Sequence, residues 1–452
     1  MEDGLFPATR HALLHRIATA QAEGRAPSVV GAVVRDGSPA WVGARSCVDG
    51  HQPDGDTQYR IGSISKTFVA VQVMRLRDEG RLDLADRLDG HLPGTVVGDA
   101  RIGELLAHTA GLASESAGVW WERVPGPASL SEALGEDPMR QPAGQRFHYS
   151  NPGYAALGAL VSHLRGEPWG ASLQREILTP LGMTRTTLMP TEPHAGGWAV
   201  HPWADVMLPE PSEDAGPMAP AGQLWSTALD MCRWATFLAA GSPAVLAAST
   251  LEEMRALAAP GDRTGGYGLG LQILYDGDRT LIGHGGSMPG FLATVWTSVD
   301  ERLSGVVLAN TTAGLNIGGL AADLVRIVAE HEPPLPLPWR PLPEVDDELL
   351  ALTGLWYWGP TPFGLSLLAD HGLELKPLRN SGRASRFRAS PDGAWVGLDH
   401  YYAGERLRVV RDSAGAVSHL DVGTFVFTRT PYDVNAPVPG GVDSEGWRGL
   451  PG

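Results

Sequence analysis

Leu13 and Ile17 stand one turn apart in the stretch from Ala8 to Glu23, and Gly24 follows, the pattern of an amphipathic helix with a glycine stop. From Ser28 to Val34 the chain changes to small and β-branched residues. Asp36-Gly37 then supplies a turn, and Ala40 to Ala44 returns as an antiparallel partner. The run from Ser63 to Glu79 is apolar on most sides, through Phe68, Val69, Val71, Val73, Met74 and Leu76, and stops at Gly80. Such a run predicts a helix buried all round rather than one lying on a surface. A second helical stretch covers Tyr154 to Leu164. Further on, Tyr267 to Tyr275, Arg279 to His284, Gly290 to Ser298 and Leu303 to Ala309 alternate or run apolar between the turns Asp276-Gly277 and Asp300-Glu301, as strands of an antiparallel sheet do. Helix, hairpin, a long helical middle and a return to strands predict an α+β domain in which both ends of this part of the chain enter one sheet.

The pattern breaks at Pro333-Pro334-Leu335-Pro336-Leu337-Pro338-Trp339-Arg340-Pro341-Leu342-Pro343. Proline lacks an amide proton and fixes its own backbone angle, so this run is neither helix nor central strand but a stiff extended connector. Beyond it short strand-like stretches alternate with the turns Asp370-His371-Gly372, Ser390-Pro391-Asp392-Gly393 and Asp412-Ser413-Ala414-Gly415, which suits a small antiparallel barrel. The expected organisation is a first domain over 1–332, a linker over 333–343, a barrel over 344–430 and an extended Pro/Gly-rich tail over 431–452. No internal repeat is visible.

At 452 residues the chain exceeds what one core usually serves, which agrees with two domains. A net charge of −16 opposes binding to nucleic acid or to an anionic membrane, and no basic tract offsets it. Cys47 and Cys232 are too few for a disulfide framework and are expected to be packing residues. No Cys/His cluster has metal spacing, so neither metal nor cofactor is expected. The start Met1-Glu2-Asp3-Gly4-Leu5-Phe6-Pro7 has no secretory character, and no apolar run is long enough to span a bilayer. A cytoplasmic enzyme is the expectation.

Chemistry enters with lysine. Of 35 basic residues only two, Lys66 and Lys376, are lysines, and Lys66 falls three residues after Ser63 in Gly62-Ser63-Ile64-Ser65-Lys66-Thr67-Phe68. A GC-rich genome accounts for the scarcity but not for the position. A guanidinium stays protonated under ordinary conditions, whereas a buried amine can lose its proton and act as a base. With Ser63 opening the buried helix, Lys66 lies one turn along on nearly the same face, within reach of the hydroxyl. The helix N-terminus favours negative charge developing there. The bland alternative is a capping serine beside a solvated lysine. A second piece is Tyr149-Ser150-Asn151 before Pro152, where Asn151 has the look of a helix N-cap; Tyr149 could relay protons and the Asn151 amide could meet a substrate carbonyl. A third is His284-Gly285-Gly286-Ser287 at a strand end, where two glycines allow another backbone to approach. His108 reads as a structural histidine, and Lys376 as a solvent-facing one on a barrel strand.

Together, in this order, the three pieces resemble the active-site serine penicillin-recognising family: class C β-lactamases, penicillin-binding proteins and related serine esterases and D-peptidases. The resemblance covers roughly Ala8 to Glu330 and includes the His108 segment and Pro220-Ala221-Gly222-Gln223-Leu224-Trp225-Ser226-Thr227. It implies a β-lactamase/transpeptidase-like fold, Ser63 as nucleophile, Lys66 and Tyr149 as the proton-transfer pair, and Asn151 as a substrate contact. It also implies His284-Gly285-Gly286 in place of the family's Lys-Thr-Gly motif, and the backbone N–H groups of Ser63 and Ser287 as an oxyanion hole. Which of Lys66 and Tyr149 is the base stays open.

Histidine at 284 is the departure. It is mostly neutral at pH 7 and holds a substrate carboxylate less firmly than lysine does, so efficient β-lactam hydrolysis is not expected. The motif resembles the esterase, D-aminopeptidase and peptide-cyclising thioesterase branches, several of which carry a lipocalin-like barrel, and Gly354-Leu355-Trp356-Tyr357-Trp358-Gly359 resembles the start of one. The expected substrate is therefore a small-molecule or peptide acyl compound, including a peptidyl thioester on a carrier protein. Acyl transfer through a Ser63 ester is the leading reading, with water or a peptide amine as acceptor. A catalytically silent ligand-binding member is the alternative from another class. Trp120-Trp121 and the stretch from Trp198 to Trp225 fall where family members build the cleft rim.

Overall fold

The computed structural model describes residues 4–431 except 337, 345 and 380–382, together with the backbone of 442–443 and 446–447. It divides into two compact units that part between Pro334 and Leu335. Apart from Pro431 and the paired backbone of Val442–Asp443 and Gly446–Trp447, the expected tail over 431–452 lies outside the described residues.

The larger unit is built on one eight-stranded antiparallel sheet. After helix α1 (Pro7–Glu23) come β1 (Ser28–Arg35) and β2 (Ser38–Ser46), and then the buried helix α2 (Ser65–Asp78). The middle holds α3 (Asn151–Arg165) and α4 (Ala228–Ala240). The chain then returns to the sheet as β3 (Ala259–Pro260), β4 (Gly265–Tyr267), β5 (Gln272–Asp276), β6 (Arg279–Met288), β7 (Phe291–Ser298) and β8 (Leu303–Ala309), and α5 (Ile317–His331) closes the unit. The strand order is β2-β1-β8-β7-β6-β5-β4-β3. Val29 pairs with Ala309 and Arg35 with Leu303, so the first hairpin docks on the last strand, as both ends entering one sheet requires. The central strands β1, β7 and β8 are buried nearly throughout, because helices cover both faces. On one face α1 and α5 pack Leu13, Ile17, Leu320 and Leu324 against Val29, Val33 and Val307. On the other lies the larger core that contains α2, α3 and α4.

Helix α2 is enclosed as its composition predicts: Ser65 through Met74 and Leu76 are all buried. Phe68 stacks on Trp234 with ring centroids 3.8 Å apart, and the Trp234 indole N–H donates to Thr67 Oγ1 at 2.9 Å.

Three local expectations are corrected. The stretch from Tyr267 to Tyr275 is not one strand, because Gly268 to Gly270 turn the chain; the Gly268 N–H bonds to Leu271 O at 2.8 Å and Gly270 takes φ +80°. Strand β6 does not end at His284 but runs on to Met288, since β7 pairs with it as far as Phe291. Cys232 is buried as expected, but Cys47 is exposed, just beyond β2.

In the smaller unit a short helix (Asp347–Leu352) leads into a closed barrel of eight antiparallel strands. These are β9 (Gly354–Trp358), β10 (Thr361–Leu367), β11 (Leu373–Pro377), β12 (Ser385–Ala389), β13 (Trp395–Gly397), β14 (Arg406–Arg411), β15 (Val417–Val422) and β16 (Phe425–Thr428). The pair Tyr357–Thr428 closes it. Alternate residues such as Phe363 and Leu365, Leu373 and Leu375, or Leu420 and Val422 fill the interior around Trp356 and Phe387. Lys376 is exposed and pairs with Glu374 at 2.8 Å. Among the described residues no helix is long and apolar enough to cross a membrane, and no group of three or more His, Cys, Asp or Glu side chains could hold a metal.

Candidate active site

Ser63 lies in a short 3-10 turn (Gly62–Ile64) that runs straight into α2, the Ser65 N–H bonding back to Gly62 O. The turn is pressed against β6, and two glycines make that possible. Gly62 has φ +53°, and a Cβ there would sit 2.6 Å from Ser287 N. A Cβ on Gly286 would sit 1.9 Å from Ile61 O and 3.1 Å from Ser63 N. The segment after Pro220 holds the turn from the other side: the Ile61 N–H donates to Leu224 O at 2.9 Å and the Leu224 N–H to Ser65 Oγ at 3.1 Å.

Lys66 follows in the first turn of α2, fully buried. Its Nζ lies 2.9 Å from Ser63 Oγ, 2.7 Å from Asn151 Oδ1 and 2.7 Å from Ala221 O. Burial pulls the amine down from its ordinary value to about 7, against the opposing pull of Glu115 and Glu122. Near neutrality it is therefore poised between donor and acceptor.

Asn151 is not the N-cap of α3. Ser150 is, its Oγ accepting from the Gly153 N–H at 3.0 Å, while Asn151 takes the first helical position. Its carboxamide is engaged elsewhere: Oδ1 accepts from Lys66, and Nδ2 donates to Glu115 Oε1 at 2.8 Å. The other Glu115 oxygen accepts from the buried Trp121 indole N–H at 3.1 Å. Glu115 is brought there by its backbone, since the Asn151 N–H donates to Ser114 O at 2.9 Å and Ser150 Oγ donates to Ala113 O at 2.7 Å. No spacing marks Glu115 in the sequence; it is one acid in an irregular loop, and only the neighbouring Trp pair hints at a built feature.

Tyr149 stands beside the same amine, whose nitrogen is 4.9 Å from the ring centroid. Burial pushes its phenol above the usual range, and the nearby Ser63 hydroxyl offsets part of that. Behind it lies a layer of rings. The His108 ring centroid is 4.2 Å from that of Tyr149 and 4.7 Å from that of Tyr267. His108 has φ +57° and is buried, with Nδ1 accepting from the Ser150 N–H at 3.0 Å, so it braces the corner that carries Tyr149 and Asn151.

His284 is only 1% exposed. Its Nδ1 bonds to Gly285 O and its Nε2 lies 3.0 Å from Tyr267 Oη. A carbonyl can only accept, so Nδ1 carries the proton and Nε2 accepts from the tyrosine. Both nitrogens are thus occupied within the protein. Burial and the nearby Lys66 lower the imidazole to about 3, which keeps it neutral at all moderate pH.

The edge of β6 beyond His284 faces the turn. The Gly285 N–H donates to Gln272 Oε1 at 3.0 Å, on the side away from β7. Strand alternation puts the Ser287 N–H, two residues on, along the same edge. Ser63 N, second in its turn, is one of the amides a helix start leaves unpaired. Both amides lie where the turn meets the strand: a Cβ on Gly62 would sit 2.6 Å from Ser287 N, and one on Gly286 3.1 Å from Ser63 N. Gly285 and Gly286 carry no side chains of their own here, and the Gln272 carboxamide covers the Gly285 N–H. Farther out the Trp pair is divided: Trp121 is buried, while Trp120 is exposed and packs on Arg123, 4.6 Å from the ring centroid.

The arrangement can deprotonate a serine hydroxyl, stabilise an oxyanion and return a proton to a leaving group. Comparison with known proteins gives the family of the chain. The chain is 31% identical over 196 residues to penicillin-binding protein 4 of Amycolatopsis lactamdurans, a match that takes in 40% of this chain and 50% of that one. The chain thus spans about half the length of the curated relatives it matches. Among solved structures, a D-stereospecific amidohydrolase from a Streptomyces species superposes with a TM-score of 0.58 at 26% identity over 72% of this chain and 99% of that one. SurE with D-Leu gives 0.57 at 27% identity over 94% and 100%. A family model described as a domain of unknown function, DUF7586, matches residues 345–429, which hold the barrel. The Beta-lactamase family model matches residues 14–330, the whole sheet and every residue around Ser63, and the chain belongs to that family.

Proposed function

We propose that this protein is a serine acyl hydrolase or acyltransferase that works through a Ser63 ester on peptide-like amide, ester or thioester substrates, and that it is not an efficient β-lactamase. The observation that carries this reading is the buried Lys66 amine, 2.9 Å from Ser63 Oγ and lowered to about 7. Such an amine has the basicity a general base needs near neutral pH. Ser63 Oγ attacks the acyl carbon as its proton passes to Lys66. The Ser63 and Ser287 N–H groups receive the oxyanion, and the leaving group departs with a proton supplied through Tyr149. Tyr149 suits donation better than abstraction, because burial holds its phenol protonated. A water or an amine then attacks the ester and frees Ser63.

Two features favour amide or ester substrates over β-lactams. His284 offers neither a charge nor a spare nitrogen to a substrate carboxylate. The likeness to the D-stereospecific amidohydrolase is consistent with an amide substrate held beside Ser63. A free or carrier-bound peptidyl thioester fits the same chemistry, with the peptide's own amine as acceptor.

The test is intact mass after a fluorophosphonate probe: wild type is expected to gain one adduct and Ser63→Ala none. A panel of nitrocefin, p-nitrophenyl esters, D-alanyl p-nitroanilide and a peptidyl thioester then divides the substrates, and cyclic against linear product separates amine from water as acceptor. No adduct on wild type, or nitrocefin turning over fastest, would refute the reading.

A further inference from the structure

Lys66 is surrounded by fixed acceptors, and their number has a chemical consequence. As an ammonium it has three N–H groups, matched by Asn151 Oδ1, Ala221 O and Ser63 Oγ. As a neutral amine it has two N–H groups and one lone pair. The Ala221 carbonyl has no proton to give, and neither has the Asn151 oxygen, so both keep an N–H each. The lone pair is left on the line to Ser63, the one partner that carries its own proton. This holds only while Asn151 presents oxygen to Lys66. A carboxamide turned end for end has nearly the same shape, and its NH2 would then donate into the lone pair and compete with Ser63.

The geometry points to Glu115 as the positioning residue that fixes the Asn151 carboxamide with its oxygen on Lys66, and so aims the Lys66 lone pair at Ser63. A carboxylate can only accept, so it demands the NH2 end of Asn151 whatever the protonation state of Lys66. Glu115 meets that end at 2.8 Å and is itself held by the Trp121 N–H at 3.1 Å. This inference rests on the reading of Ser63 and Lys66 as the acylation pair. Other groups facing Lys66 do not serve the purpose. Tyr149 and Tyr154 present ring faces, with centroids 4.9 and 5.7 Å away. His108 and His284 are kept neutral by burial. Glu122 adds negative charge nearby, and its side chain bonds to the Trp120 N–H.

Two substitutions separate orientation from charge. Glu115→Gln keeps an acceptor for Asn151 Nδ2 and removes the charge, whereas Glu115→Ala removes both. Because the chain has only two lysines, 13C-labelled lysine gives one resonance for Lys66 and one for the exposed Lys376, so the Lys66 titration is read directly in the full-length protein. Loss of the carboxylate charge is expected to lower the Lys66 midpoint by about one unit in both variants. Acylation by a p-nitrophenyl ester is expected to fall roughly 10- to 100-fold in Glu115→Ala and to stay within about threefold of wild type in Glu115→Gln at its own optimum pH. In the glutamine variant the acid limb should move down with the Lys66 midpoint. If both variants acylate as wild type does, or if Glu115→Gln falls as far as Glu115→Ala, the assignment to orientation is wrong. Failure of wild type to acylate at all overturns the acyl-transfer reading instead, and an unmoved Lys66 resonance in both variants then overturns this one separately.

Discussion

The two units bury opposite things. In the larger one, Arg60, Lys66, His108, Asp230 and His284 are ionisable side chains shut away from water, and three of them, Lys66, His108 and His284, lie around the same few ångströms of the site. In the barrel the buried polar side chains among the described residues are Ser385 and His419, and the interior is made of Trp356, Phe363, Phe387 and Phe427 with aliphatic neighbours. A filled apolar interior converts burial directly into stability. A buried amine works against it, since burial must strip the charge that water would have solvated. The contrast puts the buried ionisable groups in the larger unit and an apolar packed core in the smaller one.

Four measurements sharpen or break that contrast. Ser63→Ala is expected to remove acylation by a factor of at least about 10³, read from probe labelling and ester turnover, while leaving thermal stability near wild type. Residual turnover at a tenth of wild type would break the site. In the barrel, Phe387→Ala or Trp356→Ala should cost roughly 3–5 kcal/mol in the transition that reports the smaller unit, since each side chain is fully buried. A cost under about 1 kcal/mol would mean that the interior is not the packed core it is taken for. Gly62→Ala should lower acylation roughly 10²-fold, because the new Cβ meets Ser287 N at 2.6 Å and the turn must back away from the strand.

A smaller change in stability than in the barrel variants is expected for Lys66→Met, which abolishes acylation yet makes the fold more stable. With a folded value of about 7 against an ordinary 10.5, Lys66 binds its proton less tightly in the folded chain than in the unfolded one. The resulting penalty is full below about pH 7 and fades as pH rises towards 10.5. The gain in the methionine variant should therefore be larger at pH 6 than at pH 9. Loss of three hydrogen bonds offsets part of it, leaving roughly 1–3 kcal/mol at the lower pH. Equal melting temperatures for variant and wild type at both pH values would mean that the amine is not desolvated.

Much of the fold was legible because it repeats. The apolar surround of α2, the hairpin of β1 and β2, the return of β6 to β8 and the alternation of the barrel strands each extend over many residues, so a single exception does not hide them. Where the reading slipped, one residue outweighed the pattern. Gly268 to Gly270 broke a strand that looked continuous, and Ser150 took the capping place because the Asn151 side chain was engaged by Lys66 and Glu115. His284 was legible as a departure from lysine, but its engagement with Tyr267 and Gly285 O was not, since neither partner is marked by spacing.

By itself the sequence determined that an amine would stand one helical turn from a serine hydroxyl inside an apolar helix, because helix period and composition act over a few residues. The tertiary structure decided what that amine could do. Asn151, Ala221 and Glu115 reach the site from distant parts of the chain, separated from their partners by 85, 155 and 36 residues. The Ala221 carbonyl that holds the amine, and the Ser287 N–H proposed to receive the oxyanion, belong to the backbone. A peptide group is the same whatever residue carries it, so only the packing of turn against strand can give it a role.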